Sequence, residues 1–292
     1  MKSGFYTALG TPLDDHGNFM AASFKKQVED QIAAGASGLL TLGTMGNQPS
    51  IKSSETPKIA KASCEVAHGR CPVLVGVMDN SIARVVERIE ALKGIPVDGV
   101  VATTPFYFMA TQDELVSFFT AIARQSAFPL YLYDLPIVTK IKLTVDTCET
   151  LMHEGLVHGI KTGDLPTARA LLHSQANDGS FQTIFSSLDL FDVAYGWGLK
   201  KNLDGMFAMT PKLATSVYKY LAAGDMDGAR KELDVIIDTR KRFFEIGVFR
   251  AFSEAMNLLG YEGRFAPDYC RPLDQRERAF VRQIMDEHGL MG

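Results

Sequence analysis

The sequence predicts an α/β fold, a (β/α)8 TIM barrel with a C-terminal helical extension, and three observations carry that expectation. Short aliphatic and β-branched runs recur eight times, amphipathic stretches separate them, and after the eighth run the pattern changes to helix after helix. The eight runs span residues 5–11, 37–44, 73–79, 98–105, 129–136, 157–163, 181–189 and 203–210. Most are apolar at successive positions rather than alternate ones, as strands covered on both faces must be.

The intervening stretches have helical spacing. Phe24, Val28 and Ile32 share one face ahead of Gly35, and Val85, Ile89 and Leu92 do so ahead of Gly94. Leu115, Phe118, Phe119 and Ile122 form another such face, opened by Thr111 and Asp113. One strand–helix unit roughly every 25–35 residues closes naturally at eight units. Residues 1–223 are therefore expected to form the barrel. Residues 224–292 are expected to pack on it as the extension, with helices over 225–246, 248–259 and 273–287 after a last barrel helix at 211–223. An open doubly wound sheet is set aside. The turn after its first strand, Gly10-Thr11-Pro12-Leu13, lacks the glycine fingerprint that cradles a dinucleotide.

Composition narrows the function classes. With 46% hydrophobic and 22% charged residues the chain can build a sizeable core. The net charge of −4 is spread without a basic stripe, which argues against a nucleic-acid partner. No apolar run reaches the roughly eighteen residues of a membrane span, and Met1-Lys2-Ser3-Gly4-Phe5 leads into a strand without a signal-peptide core. Cys64, Cys71, Cys148 and Cys270 are too few for a disulfide framework and include no zinc-type pair, and the six histidines show no ligand spacing. A cytoplasmic protein with no metal, no membrane and no nucleic-acid partner is expected.

In a barrel, side chains at the C-terminal strand ends converge on one mouth. Lys161 closes the sixth run, in Gly159-Ile160-Lys161-Thr162-Gly163. Enclosure disfavours the charged form of an amine, and carbonyl attack requires the neutral form. The competing reading is a strand-tip lysine paired with a carboxylate. Tyr133 lies at the end of the adjacent fifth run, where its phenol could relay protons; a satisfied core tyrosine is the plainer alternative. Thr44 closes the second run in Gly43-Thr44-Met45-Gly46-Asn47, whose hydroxyl and backbone N–H groups could hold a carboxylate.

Gly43-Thr44-Met45-Gly46, Tyr133-Asp134-Leu135-Pro136 and Gly159-Ile160-Lys161, in that order and spacing, resemble the dihydrodipicolinate synthase/N-acetylneuraminate lyase family. The resemblance extends from Phe5 to Leu290 and includes Thr103-Thr104-Pro105-Phe106-Tyr107. It implies that Lys161 forms a Schiff base with a 2-oxo acid such as pyruvate and that Tyr133 shuttles protons. It further implies that Thr44 links Tyr133 to Tyr107, a residue that in the family often reaches in from a neighbouring subunit. Gly43 and Met45 would help hold the pyruvate carboxylate, the assembly would be a homodimer or homotetramer, and no cofactor would be needed.

The pattern is not followed throughout. Met45 stands where the family has a second hydroxyl, Asn47 replaces its acid, Asp134 its asparagine, and Thr162 the acid after the lysine. Val138 stands where dihydrodipicolinate synthases carry a carboxylate-gripping arginine, which argues against that activity proper. Ser187, Asp189 and Thr210 are the candidates for contacting the distal part of the substrate. The expected reaction is therefore reversible aldol cleavage of a 2-oxo acid to pyruvate and an aldehyde. A hydro-lyase or hydratase–aldolase using the same lysine, and a non-catalytic 2-oxo-acid-binding barrel, are the alternatives.

Overall fold

The computed structural model describes residues 1–291. Eight parallel strands close a barrel in sequence order: β1 Gly4–Ala8, β2 Gly38–Thr41, β3 Val73–Gly76, β4 Gly99–Thr103, β5 Leu130–Asp134, β6 Gly159–Thr162, β7 Gln182–Phe185 and β8 Lys201–Asp204. The helices are α1 Ala21–Ala33, α2 Thr56–Ala67, α3 Ile82–Glu90, α4 Gln112–Gln125, the short α5 Pro136–Thr139, α6 Val145–His153, α7 Leu165–Leu172, α8 Phe191–Gly196 and α9 Pro211–Ala223. The tail adds α10 Met226–Ile246, α11 Val248–Leu258 and α12 Gln275–Glu287. The expected (β/α)8 barrel with trailing helices is the fold observed. No helix among the described residues is long and apolar enough to cross a membrane.

Strand alternation divides the apolar residues between two cores. Tyr6, Leu40, Leu74, Val101, Tyr131, Tyr133, Ile184 and Leu203 fill the barrel interior. Leu130, Leu132 and Ile160 point the other way, into the layer between strands and helices. This is why the runs read as apolar at every position. Where backbones press together the sequence supplies glycine. A Cβ on Gly76 would lie 1.9 Å from the Leu42 carbonyl oxygen, so the chain leaving β2 can cross β3 only there.

The eighth strand corrects the sequence expectation. It spans Lys201–Asp204 rather than 203–210, and Met206–Ala208 form a 3-10 turn. The strand is polar at its start, whereas the following apolar run owes its character to burial beneath helices. The Asp204 carboxylate accepts from the Met206 N–H at 2.8 Å and so turns the chain out of the barrel.

The tail is tied to the first βα loop. Leu13 and Arg264 exchange backbone hydrogen bonds of 3.0 and 2.8 Å. Phe252 and Phe265 meet edge to face over Gly10, where a Cβ would lie within 3 Å of both rings. Glu277 is the charged hub of this region: it receives Arg250 and Arg271 at 2.6 Å each and closes the α12 capping box with Asp274.

The Arg271 guanidinium, the Asp274 backbone and Arg250 hold the Glu277 carboxyl down at about 2, from an ordinary 4.5. A depressed carboxyl contributes stability that is complete above the unfolded value and is lost as pH falls through the folded one. Comparing acid unfolding of the wild type and Glu277→Gln should show a stability gap at neutral pH that narrows from about pH 4.5 and vanishes near pH 2. A gap independent of pH would contradict the ion-pair account.

Candidate active site

Register brings the key side chains together. Tyr133 on β5 pairs directly with Lys161 on β6, and both point inward at the C-terminal end of the barrel. Lys161 is 7% exposed and Tyr133 4%. The Lys161 Nζ lies 3.9 Å from the centre of the Tyr133 ring and donates to Ser186 Oγ at 2.9 Å. Among the described residues it forms no ion pair with a carboxylate. The phenol oxygen of Tyr133 lies 3.4 Å from Thr44 Oγ1, a long contact that links β5 to the turn after β2. Among the described residues, no group of three His, Cys, Asp or Glu side chains could hold a metal ion.

That turn has an unusual backbone. Leu42 and Asn47 flank it at φ of +58° and +54°, the left-handed region that costs a branched side chain about a kcal/mol or more. Asn47 N–H bonds to Thr44 O and Gln48 N–H to Gly43 O, closing the turn, and Asn47 Nδ2 anchors it to the Phe265 carbonyl at 2.7 Å. The N–H groups of Thr44, Met45 and Gly46 make no hydrogen bond within the described residues. Successive free amides on a tight turn form a concave donor set for an anion. The Met45 side chain lies flat on Gly205 beyond β8, where an added Cβ would come within 2.8–3.0 Å of its carbons. Met45 thus fills the space between β2 and β8 while its amide stays unpaired within the described residues.

The residues expected to meet a distal group are dispersed. Ser187 is half-buried beside Ser186. Asp189 is exposed on the loop after β7, with both oxygens bonded to Arg240 Nη2 of α10 at 2.8 Å. Thr210 lies away from the mouth: it is buried, donates to the Met206 carbonyl at 2.9 Å, and borders a surface cavity with Lys26 and Asp30 of α1. The shortened β8 explains its displacement. Tyr107 is also outside the mouth within one chain. The residue is 78% exposed, its hydroxyl makes no hydrogen bond among the described residues, and its backbone N–H and that of Phe106 donate to Asn80 Oδ1.

Two site features escaped the sequence reading. Ser186, the Lys161 partner, was one of two adjacent serines, and only the inward phase of β7 selects it. Asp204, at the end of β8, lies in the field of Lys161. Burial raises its carboxyl above the usual range, against the opposing pull of the Met206 N–H, Lys161 and Arg240. Asp134 and Thr162, the departures beside Tyr133 and Lys161, form a set of their own behind the barrel wall. The buried Asp134 carboxylate accepts from Thr162 Oγ1 at 2.8 Å and from Leu143 N–H, and pairs with Lys142. The two changes match one another: an acid at 134 takes a donor at 162.

The profile of the dihydrodipicolinate synthetase family matches residues 1–287. A 4-hydroxy-tetrahydrodipicolinate synthase from Acidiphilium cryptum is 28% identical over 295 residues, covering all of both chains. One from Methylobacterium radiotolerans is 31% identical over 223 residues, 76% of this chain and 74% of its own. Among solved structures, a dihydrodipicolinate synthase from Bacillus anthracis superposes with a TM-score of 0.90 at 22% identity, covering 97% of each chain. A prophage protein of the dihydrodipicolinic acid synthase family from E. coli K12, in complex with pyruvate, does so with a TM-score of 0.90 at 20% identity and 99% of each chain.

These likenesses overturn the exclusion drawn from Val138. Two curated relatives that match the whole chain carry the synthase name, not that of a cleaving lyase. Val138 sits half-exposed on the four-residue α5, so it reports on one position at the rim and not on the reaction. The chain belongs to the dihydrodipicolinate synthetase family, whose members are Schiff-base-forming carbon–carbon lyases of the aldolase type.

Proposed function

We propose that this chain acts in the synthetic direction, as a 4-hydroxy-tetrahydrodipicolinate synthase: it joins a 2-oxo acid, pyruvate, to an aldehyde through a Schiff base on Lys161. The observation that supports it most is the convergence of three groups at one mouth: a buried amine with no carboxylate at ion-pair distance among the described residues, a phenol beside it, and an unpaired run of backbone N–H groups. The pyruvate carboxylate would sit on the amides of Thr44–Gly46. Lys161 Nζ adds to the keto carbon while Tyr133 gives a proton to the departing oxygen, and loss of water leaves an iminium. That cation accepts the electron pair released when a C3 proton leaves, which gives an enamine. The enamine carbon then attacks the aldehyde carbon, a proton reaches the new alkoxide, and water or an internal amine releases the lysine.

A second carboxylate on the aldehyde substrate needs a cation that Val138 does not supply. We assign it to Arg240. Only its Nη2 is used by Asp189, which leaves Nε and Nη1 without a hydrogen bond, and it lies within the electrostatic reach of Asp204 together with Lys161. Ser187 and Asp189 line the approach. The run Tyr107-Phe108-Met109, exposed at 78, 76 and 73%, supports a homodimer, in which Tyr107 would complete the partner's site.

The test mixes the protein with pyruvate and a carboxylate-bearing aldehyde and follows both by NMR. Equal consumption of the two and one C–C-joined product are expected. In Arg240→Gln the KM for the aldehyde should rise about tenfold or more, as loss of a charge-assisted contact implies, with pyruvate binding unchanged. A pyruvate adduct on Lys161 with no consumption of any such aldehyde would contradict the synthase reading.

A further inference from the structure

The cleft between the tail and the β1–α1 loop encloses about 610 Å³, a volume typical of small-ligand sites. Lys161, Tyr133, Thr44 and Ser186 take no part in it. Four guanidinium groups line it: Arg250, Arg264, Arg271 and Arg278. Three have partners. Arg250 and Arg271 share Glu277, and Arg278 lies 3.3 Å from Glu254. Among the described residues Arg264 has no ion pair and no side-chain hydrogen bond, and its Nε is buried without an acceptor. The Arg250 Nε is buried in the same condition.

The carboxylates on the lining do not satisfy these donors. Asp14 is spent within its own loop, accepting from the His16 and Asn18 backbone and from Asn18 Nδ2. Asp15 and Asp268 are exposed, and neither pairs with a guanidinium. Buried charged donors left without acceptors are costly, and an unseen anion is one standard resolution. Arg264 also borders an adjoining cavity of about 140 Å³, whose lining sets Lys52 against Asp15 and Asp268.

We propose that this cleft is a second ligand site, one that takes a small oxyanion, a phosphate or carboxylate group seated on Arg264 and Arg250. Its occupancy is felt at the barrel mouth. Arg264 is laddered to Leu13, and the carbonyl of the next residue, Phe265, is the acceptor that anchors Asn47 and with it the Gly43–Asn47 turn. An anion that draws Arg264 toward Arg250 therefore acts on the segment that holds the free amides in place.

Cys270 lines the cleft and is the one cysteine of the four that is not buried, so its alkylation reports occupancy without any appeal to Lys161. The experiment follows iodoacetamide labelling of Cys270 by mass spectrometry, with inorganic phosphate or citrate at constant ionic strength. Saturable slowing is expected, about tenfold when the anion stands at ten times its dissociation constant. Arg264→Gln should lose this protection while keeping the pyruvate adduct at Lys161, and Arg264→Lys, which retains the charge, should recover part of it. Protection by phosphate alone assigns a phosphoryl ligand, and protection by citrate alone a polycarboxylate. No saturable protection by either anion, or equal protection in Arg264→Gln, overturns the site. Saturating anion should also shift the pyruvate concentration for half-maximal trapping by about fivefold or more; an unchanged value overturns the link to the turn. This last readout and the adduct retained in Arg264→Gln rest on the Lys161 assignment, which trapping without anion tests separately; the alkylation readouts do not.

Discussion

Lys161→Ala is expected to abolish borohydride trapping by pyruvate and to lower turnover on the order of 10⁴-fold or more, the scale seen when a covalent nucleophile is removed. The size of the effect follows from what remains. Tyr133 and the free amides of Thr44–Gly46 would still bind the keto acid, but the amine between the Tyr133 ring and Ser186 is gone, and without the iminium it forms the C3 proton has no electron sink. The substitution also empties the space between the Tyr133 ring and Ser186, so a loss of activity could be mistaken for a loss of fold. Lys161→Met separates the two. It fills the same volume, should unfold within about 1.5 kcal/mol of the wild type, and should be just as inactive. Near-normal turnover in either variant would remove the mechanism.

The second large effect is at Tyr133. Tyr133→Phe keeps the ring that lies 3.9 Å from the Lys161 amine and removes only the hydroxyl that faces Thr44. Turnover should fall by about 10²–10⁴-fold, the usual contribution of a positioned acid–base group. Trapping should survive but proceed more slowly, because the lysine can still add to the carbonyl and only the proton transfers lose their relay. Full activity in Tyr133→Phe would place the relay elsewhere, with Asp204 the first carboxyl to examine. The split between retained adduct and lost turnover is what distinguishes a relay from a packing role.

Much of the fold was legible because barrel strands advertise themselves: two buried faces leave no polar phase, and the helices between them carry clear apolar stripes. The failure at the eighth strand has the same origin. Residues 206–209 are apolar because they are buried as a turn under helices, while the strand itself, beginning Lys201-Asn202, looks like a loop. Hydrophobicity reports burial and not backbone shape. That error carried Thr210 to the wrong side of the barrel wall.

The nearness of Lys161, Tyr133 and Thr44 was legible because two lie near the C-terminal ends of neighbouring strands and the third in the turn just past β2. Ser186 could not be told from Ser187 without the phase of β7. The pairing of Asp134 with Thr162 and Lys142 required knowing that one residue from each of two neighbouring strands faces outward together. The weight placed on Val138 was a different kind of error. A single absent arginine was read as deciding the reaction, when α10, far away in sequence, brings Arg240 to the loop after β7.

The central claim is that the Lys161 amine is the group that captures the keto acid. Reduction with borohydride in the presence of pyruvate, followed by peptide mass mapping of the wild-type protein, tests it directly. A single pyruvate-derived modification on the peptide containing Lys161 is the predicted result. A modification confined to another lysine, or none at saturating pyruvate, would contradict it.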